Sequence, residues 1–127
     1  MQTVCIIDDD PIHQRIAQIL IEKHQLYEKA ISFSDAEKAL DYLSENAADF
    51  ESLPGVILLD LNMPVLDGWD FLEAFKEMSG RMVKDISVYI VTSSVDEKDR
   101  LRSQTFSCVK GFISKPLTPD VIRSTSI

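Results

Sequence analysis

The chain has 127 residues, 45% hydrophobic and 27% charged, with five prolines, four glycines and a formal net charge of −8. That length suits one compact domain over residues 1–127; no apolar run approaches the roughly 20 residues that cross a bilayer, and MQTVCIIDDD, with no basic leader, does not read as a signal peptide. The acidic balance argues against nucleic acid, whose phosphates need clustered Lys and Arg, while Cys5 and Cys108, neither in a CxxC pair, argue against disulfides and zinc and for a cytoplasmic setting.

Short apolar runs alternate with helical patterns from one end to the other. Val4-Cys5-Ile6-Ile7 is the first strand, with Cys5 as a small core residue, and Asp8-Asp9-Asp10 ends it. Asp10 precedes Pro11 and reads as a helix N-cap, and Ile12, Ile16, Ile19, Leu20 and Lys23 keep helical spacing after it. His13 and His24 fall in this pattern without a metal-spaced partner, so both are expected on the surface. A weaker strand covers Ala30 to Phe33. Ser34 is then the expected N-cap of a second helix, with Glu37 closing a capping box and Ala36, Ala39, Leu40 and Leu43 as its buried stripe.

The third strand, Val56 to Leu59, runs into Asp60. Asp67 reads as turn chemistry before Gly68, and Trp69, Leu72, Phe75 and Met78 line a third helix, with Trp69 as its core anchor. Val88 to Val91 is the fourth strand, ended by Thr92. Asp96 to Gln104 is helical but highly charged, with Leu101 its one large apolar residue, so a thinly anchored helix is expected. Gly111-Phe112-Ile113 is the last strand, followed by Lys115-Pro116. Thr118 and Pro119 open a final helix with little chain left, predicted to be short or frayed.

Five strands alternating with five helices predict an α/β doubly wound parallel sheet with strand order 2-1-3-4-5. Ligands of such sheets bind outside the carboxyl ends of the strands, where the order reverses between the first and third. Asp8, Asp9 and Asp60 should converge there, with Thr92 and Lys115 on the far flank of Asp60. Two carboxylates about 5 Å apart repel by about 3 kcal/mol at an effective dielectric near 20. Either one takes a proton or a cation sits between them, and a hard dication on oxygen ligands describes Mg2+. Acids, a dication, a lysine and a hydroxyl suit transfer of a phosphoryl group onto a carboxylate.

IIDDDP, VILLDLNMPVLDG, YIVTSS and GFISKPLT, in this order and each at a strand end, make the chain resemble, end to end, the receiver domain of two-component response regulators. The resemblance implies a flavodoxin-like fold, with Asp60 as phosphoacceptor. Asp9 would ligate Mg2+ directly, Asp8 through water and Asn62 through its backbone carbonyl. Thr92 and Lys115 would hold the phosphoryl group, Thr92 also acting as a switch with Phe112, which stands where the family often has Tyr. It also implies a usually cis Lys115–Pro116 bond, and phosphoryl lifetime tuned at Asn62 and Ser94. The expected function is a signalling switch rather than an enzyme. A histidine kinase or histidine phosphotransfer protein would phosphorylate it, and it would signal to an unknown downstream protein through its fourth helix, fifth strand and fifth helix, with no output domain of its own. A phosphatase of the haloacid-dehalogenase type would need a general acid where Asn62 stands. A receiver-like docking module that works without phosphate is the other alternative.

Overall fold

The computed structural model describes residues 2–93 and 96–126. These residues form β1 (Thr3–Ile7), α1 (Pro11–His24), β2 (Lys29–Phe33), α2 (Ala36–Glu45), β3 (Val56–Asp60) and α3 (Gly68–Met78). A short 3-10 turn at Ser79–Arg81 leads to β4 (Ser87–Thr92), α4 (Glu97–Ser103), β5 (Val109–Ser114) and α5 (Pro119–Thr125). The strands make one parallel sheet in the order β2-β1-β3-β4-β5, as predicted.

The apolar runs are continuous because both faces of the sheet are covered. Val4 and Ile6 of β1, with Val56 and Leu58 of β3, pack against Ala17 and Ile21 of α1 and Ile122 of α5. The alternate residues Cys5, Ile7, Ile57 and Leu59 pack under α2 and α3, against Leu43, Phe71, Leu72 and Phe75. Burial pushes the Cys5 thiol far above its usual range, which fits an inert core side chain.

Local chemistry sets the helix starts: Asp10 and Thr118 cap as read, while Asp67, read as turn chemistry, is the N-cap of α3. The carboxylates of Asp10 and Asp96 and the hydroxyl of Thr118 cap α1, α4 and α5, and Asp67 and Asp70 form a reciprocal capping box on α3. Two expectations need correction. The N-cap of α2 is Asp35, which accepts from Lys38 N at 2.7 Å; Ser34 lies one residue outside, and no capping box with Glu37 forms. Either side chain can cap, so the register was settled by which placement buries Ala36, Ala39 and Leu43.

On α1 the isoleucine pattern is not the buried face. Ile12, Ile16 and Ile19 are 67%, 44% and 48% exposed, and Ala17 and Ile21 face the sheet instead. Gln14 and Gln18 on this helix hydrogen-bond to Asp8, Phe33 and Ser32 at the edge of the sheet, which orients the helix against its isoleucines. The final helix is short, as expected, yet it is docked rather than frayed. Ile122 and Thr125 are buried, and the Thr125 hydroxyl lies 2.5 Å from that of Tyr27.

Candidate functional site

Four strands deliver the groups at the carboxyl edge of the sheet. β1 stops at Ile7, and Asp8 follows, buried, its Oδ1 accepting from Asp10 N at 2.9 Å. Asp9, next in the chain, is exposed. On the neighbouring β3, Asp60 is the last residue and is buried. One ligand oxygen each from Asp8, Asp9 and Asp60 can be chosen so that all lie within 4.8 Å of one another. An apolar strand can end on an acid here because the order reversal leaves the end of β3 open beside β1.

Lys115, just after β5, reaches across the sheet edge to this cluster. Its Nζ donates to Asp8 Oδ2 at 3.2 Å and lies 3.6 Å from Asp60 Oδ2. The Lys115–Pro116 peptide is cis. Desolvation pushes the Asp60 carboxyl above the ordinary carboxylate range. The Asn62 N–H, which donates to Asp60 Oδ1 at 3.1 Å, pulls it back down, Asp8 adds a further push up, and Lys115 pulls down. The pocket thus holds more negative charge than its single lysine offsets. Carboxylates in this number and spacing suit a hard dication bound through oxygens.

Thr92 ends β4 and is buried, one residue beyond Val91, the partner of Asp60 across the sheet. Its carbonyl accepts from Lys115 N at 2.7 Å, which ties the hydroxyl-bearing strand end to the lysine-bearing one. Asn62 sits in the loop after β3 with its side chain exposed. Phe112, half-buried on β5, packs against the larger core cluster and lines a groove of about 490 Å³ with Arg100, Ser103 and Gln104 of the α4 segment. Ser94 lies outside the described residues.

Three contributors were missed in the sequence. The Gln14 side-chain amide donates to Asp8 O at 2.6 Å and Phe33 O at 2.8 Å, splinting the ends of β1 and β2 behind the acids. Gly68 lets α3 start hard against β3, since a Cβ there would lie 2.8 Å from Leu61 Cα and 2.9 Å from Asp60 O. His13 is half-buried, with Nδ1 3.9 Å from Asp8 Oδ2, whereas His24 is exposed at the far end of α1. Nothing local marks Gln14, because its second partner is 19 residues away. Gly68 carried the signal of a glycine directly after a helix-capping aspartate.

The β3–α3 loop also stores strain. Val65 has φ 68° and is 96% exposed, a left-handed backbone that β-branched residues avoid.

Known proteins with this architecture share more than the fold. The family model described as "Response regulator receiver domain" matches residues 4–126. The "Two-component response regulator ORR1" of Oryza sativa is 31% identical over 116 residues, which are 90% of this chain and 49% of that protein. The "Probable methanogenesis regulatory protein FilR2" of Methanothrix harundinacea is 27% identical over 96% of this chain and 77% of its own length. The crystal structure of a two-component response regulator from Cytophaga hutchinsonii superposes with a TM-score of 0.84 at 28% identity, covering 98% of this chain and 92% of that one. The chain spans about half the length of ORR1, so what the rest of such proteins do is a separate matter. Among the described residues no helix is long and apolar enough to cross a membrane. A sheet of this order, edged by these acids and this lysine and matched by the receiver model over nearly its whole length, belongs to the response regulator receiver domain family.

Proposed function

We propose that the chain is a phosphorylation switch in which Asp60 accepts a phosphoryl group from a phosphohistidine on a histidine kinase or histidine phosphotransfer protein. An Asp60 carboxylate oxygen attacks phosphorus, the P–N bond to the donor imidazole breaks, and the imidazole leaves with the bonding pair and takes up a proton. The observation that carries this reading is the convergence of Asp8, Asp9 and Asp60 with Lys115 at the strand ends. In this reading Asp9, Asp60 and the Asn62 carbonyl would hold Mg2+, with Asp8 contributing through water, and the ion would supply positive charge against the transferring group.

The remaining roles belong to the chain. The Asn62 N–H orients Asp60 through Oδ1, which leaves Oδ2 for the phosphoryl group. Lys115, already within 3.6 Å of Asp60, clamps a phosphoryl oxygen once it exchanges Asp8 for that stronger anion. Thr92 donates its hydroxyl to another oxygen, and its movement, with that of Phe112, repacks α4, β5 and α5 into a surface read by a downstream protein. The unpaired thiols Cys5 and Cys108 support a cytoplasmic setting, where kinase and donor are found.

Incubation with acetyl phosphate tests the chemistry without a partner. A mass gain of one phosphoryl group with Mg2+, lost without Mg2+ and on Asp60→Asn, is expected. An unmodified chain under conditions that label another receiver would overturn the proposal, and steady hydrolysis of the donor at high turnover would point to a phosphatase.

A further inference from the structure

The chain carries 21 acids against 13 lysines and arginines, yet one groove on it is lined by charge of the opposite sign. It runs between α4 and β5 and has a volume of about 490 Å³. Arg100, Ser103 and Gln104 line it from the helix segment, and Val109, Lys110 and Phe112 from the strand. Its charged lining residues are Arg100 and Lys110, both basic and both exposed. The acids of α4, Glu97 and Asp99, line no part of it. The cavity beside Phe50, of about 470 Å³, is the reverse, with Glu28, Glu51 and Asp85 against Lys84.

Neither cation of the groove is matched by a carboxylate. Among the described residues Arg100 enters no ion pair, and the acceptor of the Lys110 ammonium is the Ser107 carbonyl at 3.2 Å. The sheet also sets Lys110 apart. Val109 and Gly111 pair with the consecutive residues Val88 and Tyr89, so Lys110 is the extra residue of a bulge, a device that re-aims a side chain. β5 is the last strand of the order, so the groove lies at the edge of the sheet. Phe112, half-buried, gives it an aromatic wall. Two unmatched cations beside such a wall suit a short acidic segment that pairs its carboxylates with both and lays an aliphatic side chain on the ring. Nucleic acid would need many more cations than these.

We propose that the groove between α4 and β5 docks an acidic segment of a partner protein, with Arg100 and Lys110 pairing its carboxylates and Phe112 receiving an aliphatic side chain. The proposal rests on the reading of α4, β5 and α5 as the output surface and gives the downstream partner its chemistry. The two walls of the groove belong to α4 and β5, so repacking of those elements on phosphorylation changes the affinity for the segment.

Fluorescence anisotropy with a labelled peptide of leucines among aspartates and glutamates tests it, beside a peptide with lysines in place of the acids. The acidic peptide should bind, less tightly as salt is added, and the lysine peptide should not. Arg100→Glu with Lys110→Glu should lose about tenfold or more in affinity, and Arg100→Gln with Lys110→Gln a smaller amount. Lys23→Glu with Lys38→Glu, the same charge change on α1 and α2, should bind as the wild type does. Circular dichroism and labelling of Asp60 by acetyl phosphate should be unchanged in the groove variants. In the labelled wild type the peptide affinity should shift by about fivefold or more. An acidic peptide that does not bind, or an equal loss in the Lys23 and Lys38 pair, overturns the proposal. So does self-association of the wild type that the groove variants abolish, which would make the occupant a second copy. An affinity that labelling leaves unchanged overturns the coupling of the groove to Asp60. A chain that binds the peptide through Arg100 and Lys110 but is never labelled upholds the docking and overturns the switch reading, a separate outcome.

Discussion

Two helices that follow neighbouring strands, α3 after β3 and α4 after β4, are held in opposite ways. α3 buries Trp69, Phe71, Leu72 and Phe75, stacks Phe71 on Phe75 at 5.7 Å between ring centroids, and begins with a reciprocal capping box. α4 buries Ser103, while Leu101, its one large apolar side chain, is 55% exposed. Its hold on the rest of the molecule includes the Arg102 guanidinium over the Trp69 ring at 4.5 Å, and Phe106, just beyond the helix, stacks on the same ring. Burial of several large side chains contributes many times what one surface cation–π contact does. The helix that starts beside Asp60 is thus rigid, and the one that follows Thr92 is cheap to move. The proposed switch would need that division, because its acceptor must stay preorganised while the reporting surface shifts.

The largest expected effect comes from emptying the rigid side. Phe75→Ala should cost about 3–5 kcal/mol in urea unfolding; a loss near zero would mean that α3 is no better anchored than α4. Next is Gly68→Ala, which forces a methyl against Leu61 and the Asp60 carbonyl. It should cost about 1–3 kcal/mol and also slow labelling of Asp60 by acetyl phosphate. A variant that loses stability but labels normally would separate the packing of α3 from the placement of the acceptor.

Asp60 itself gives a pH-dependent test. Its folded-state pKa is raised, mainly by burial, so below the ordinary carboxylate range its stability contribution is fully present, and it is lost as pH rises through the raised value. The metal-free protein should therefore melt lower at neutral pH than just above that range, as far as Asp60 is concerned. Asp60→Asn should remove this component and melt higher than the wild type at pH 7 by calorimetry. An Asn variant that melts lower at pH 7 would mean that the contact to Lys115 outweighs desolvation.

The smallest effects belong to α4. Arg102→Ala should cost about 0.5–1 kcal/mol and speed amide exchange in α4 while leaving α3 protected. Leu101→Ala should stay within about 0.5 kcal/mol of the wild type. A large loss at Leu101 would contradict its exposure and with it the contrast between the two helices.

Most of the fold was readable because its signals are local. The capping residues Asp10, Asp67, Asp96 and Thr118 act on amides two or three positions away, and Val56 to Leu59 reads as a buried strand without any partner in view. The α2 cap was misplaced by one residue because Ser34 and Asp35 are chemically equivalent starts, and burial of the alanines chose between them. The buried face of α1 was hidden for a different reason. Its isoleucines keep helical spacing, but the sheet is met by small Ala17 and by Ile21, while Gln14 and Gln18 reach the strand edge.

The order of residues along the chain by itself placed Asp8, Asp9, Asp60, Thr92 and Lys115 at strand ends, since where an apolar run stops is a property of neighbours in sequence. Which of these groups touch was decided by tertiary structure alone. Lys115 meets Asp8 across 107 residues, Gln14 joins the ends of two strands, and His13 turns back toward an acid whose surroundings three strands create. Local rules act over a turn or a strand, whereas contacts of this range exist only once the sheet has assembled and its helices have taken their faces.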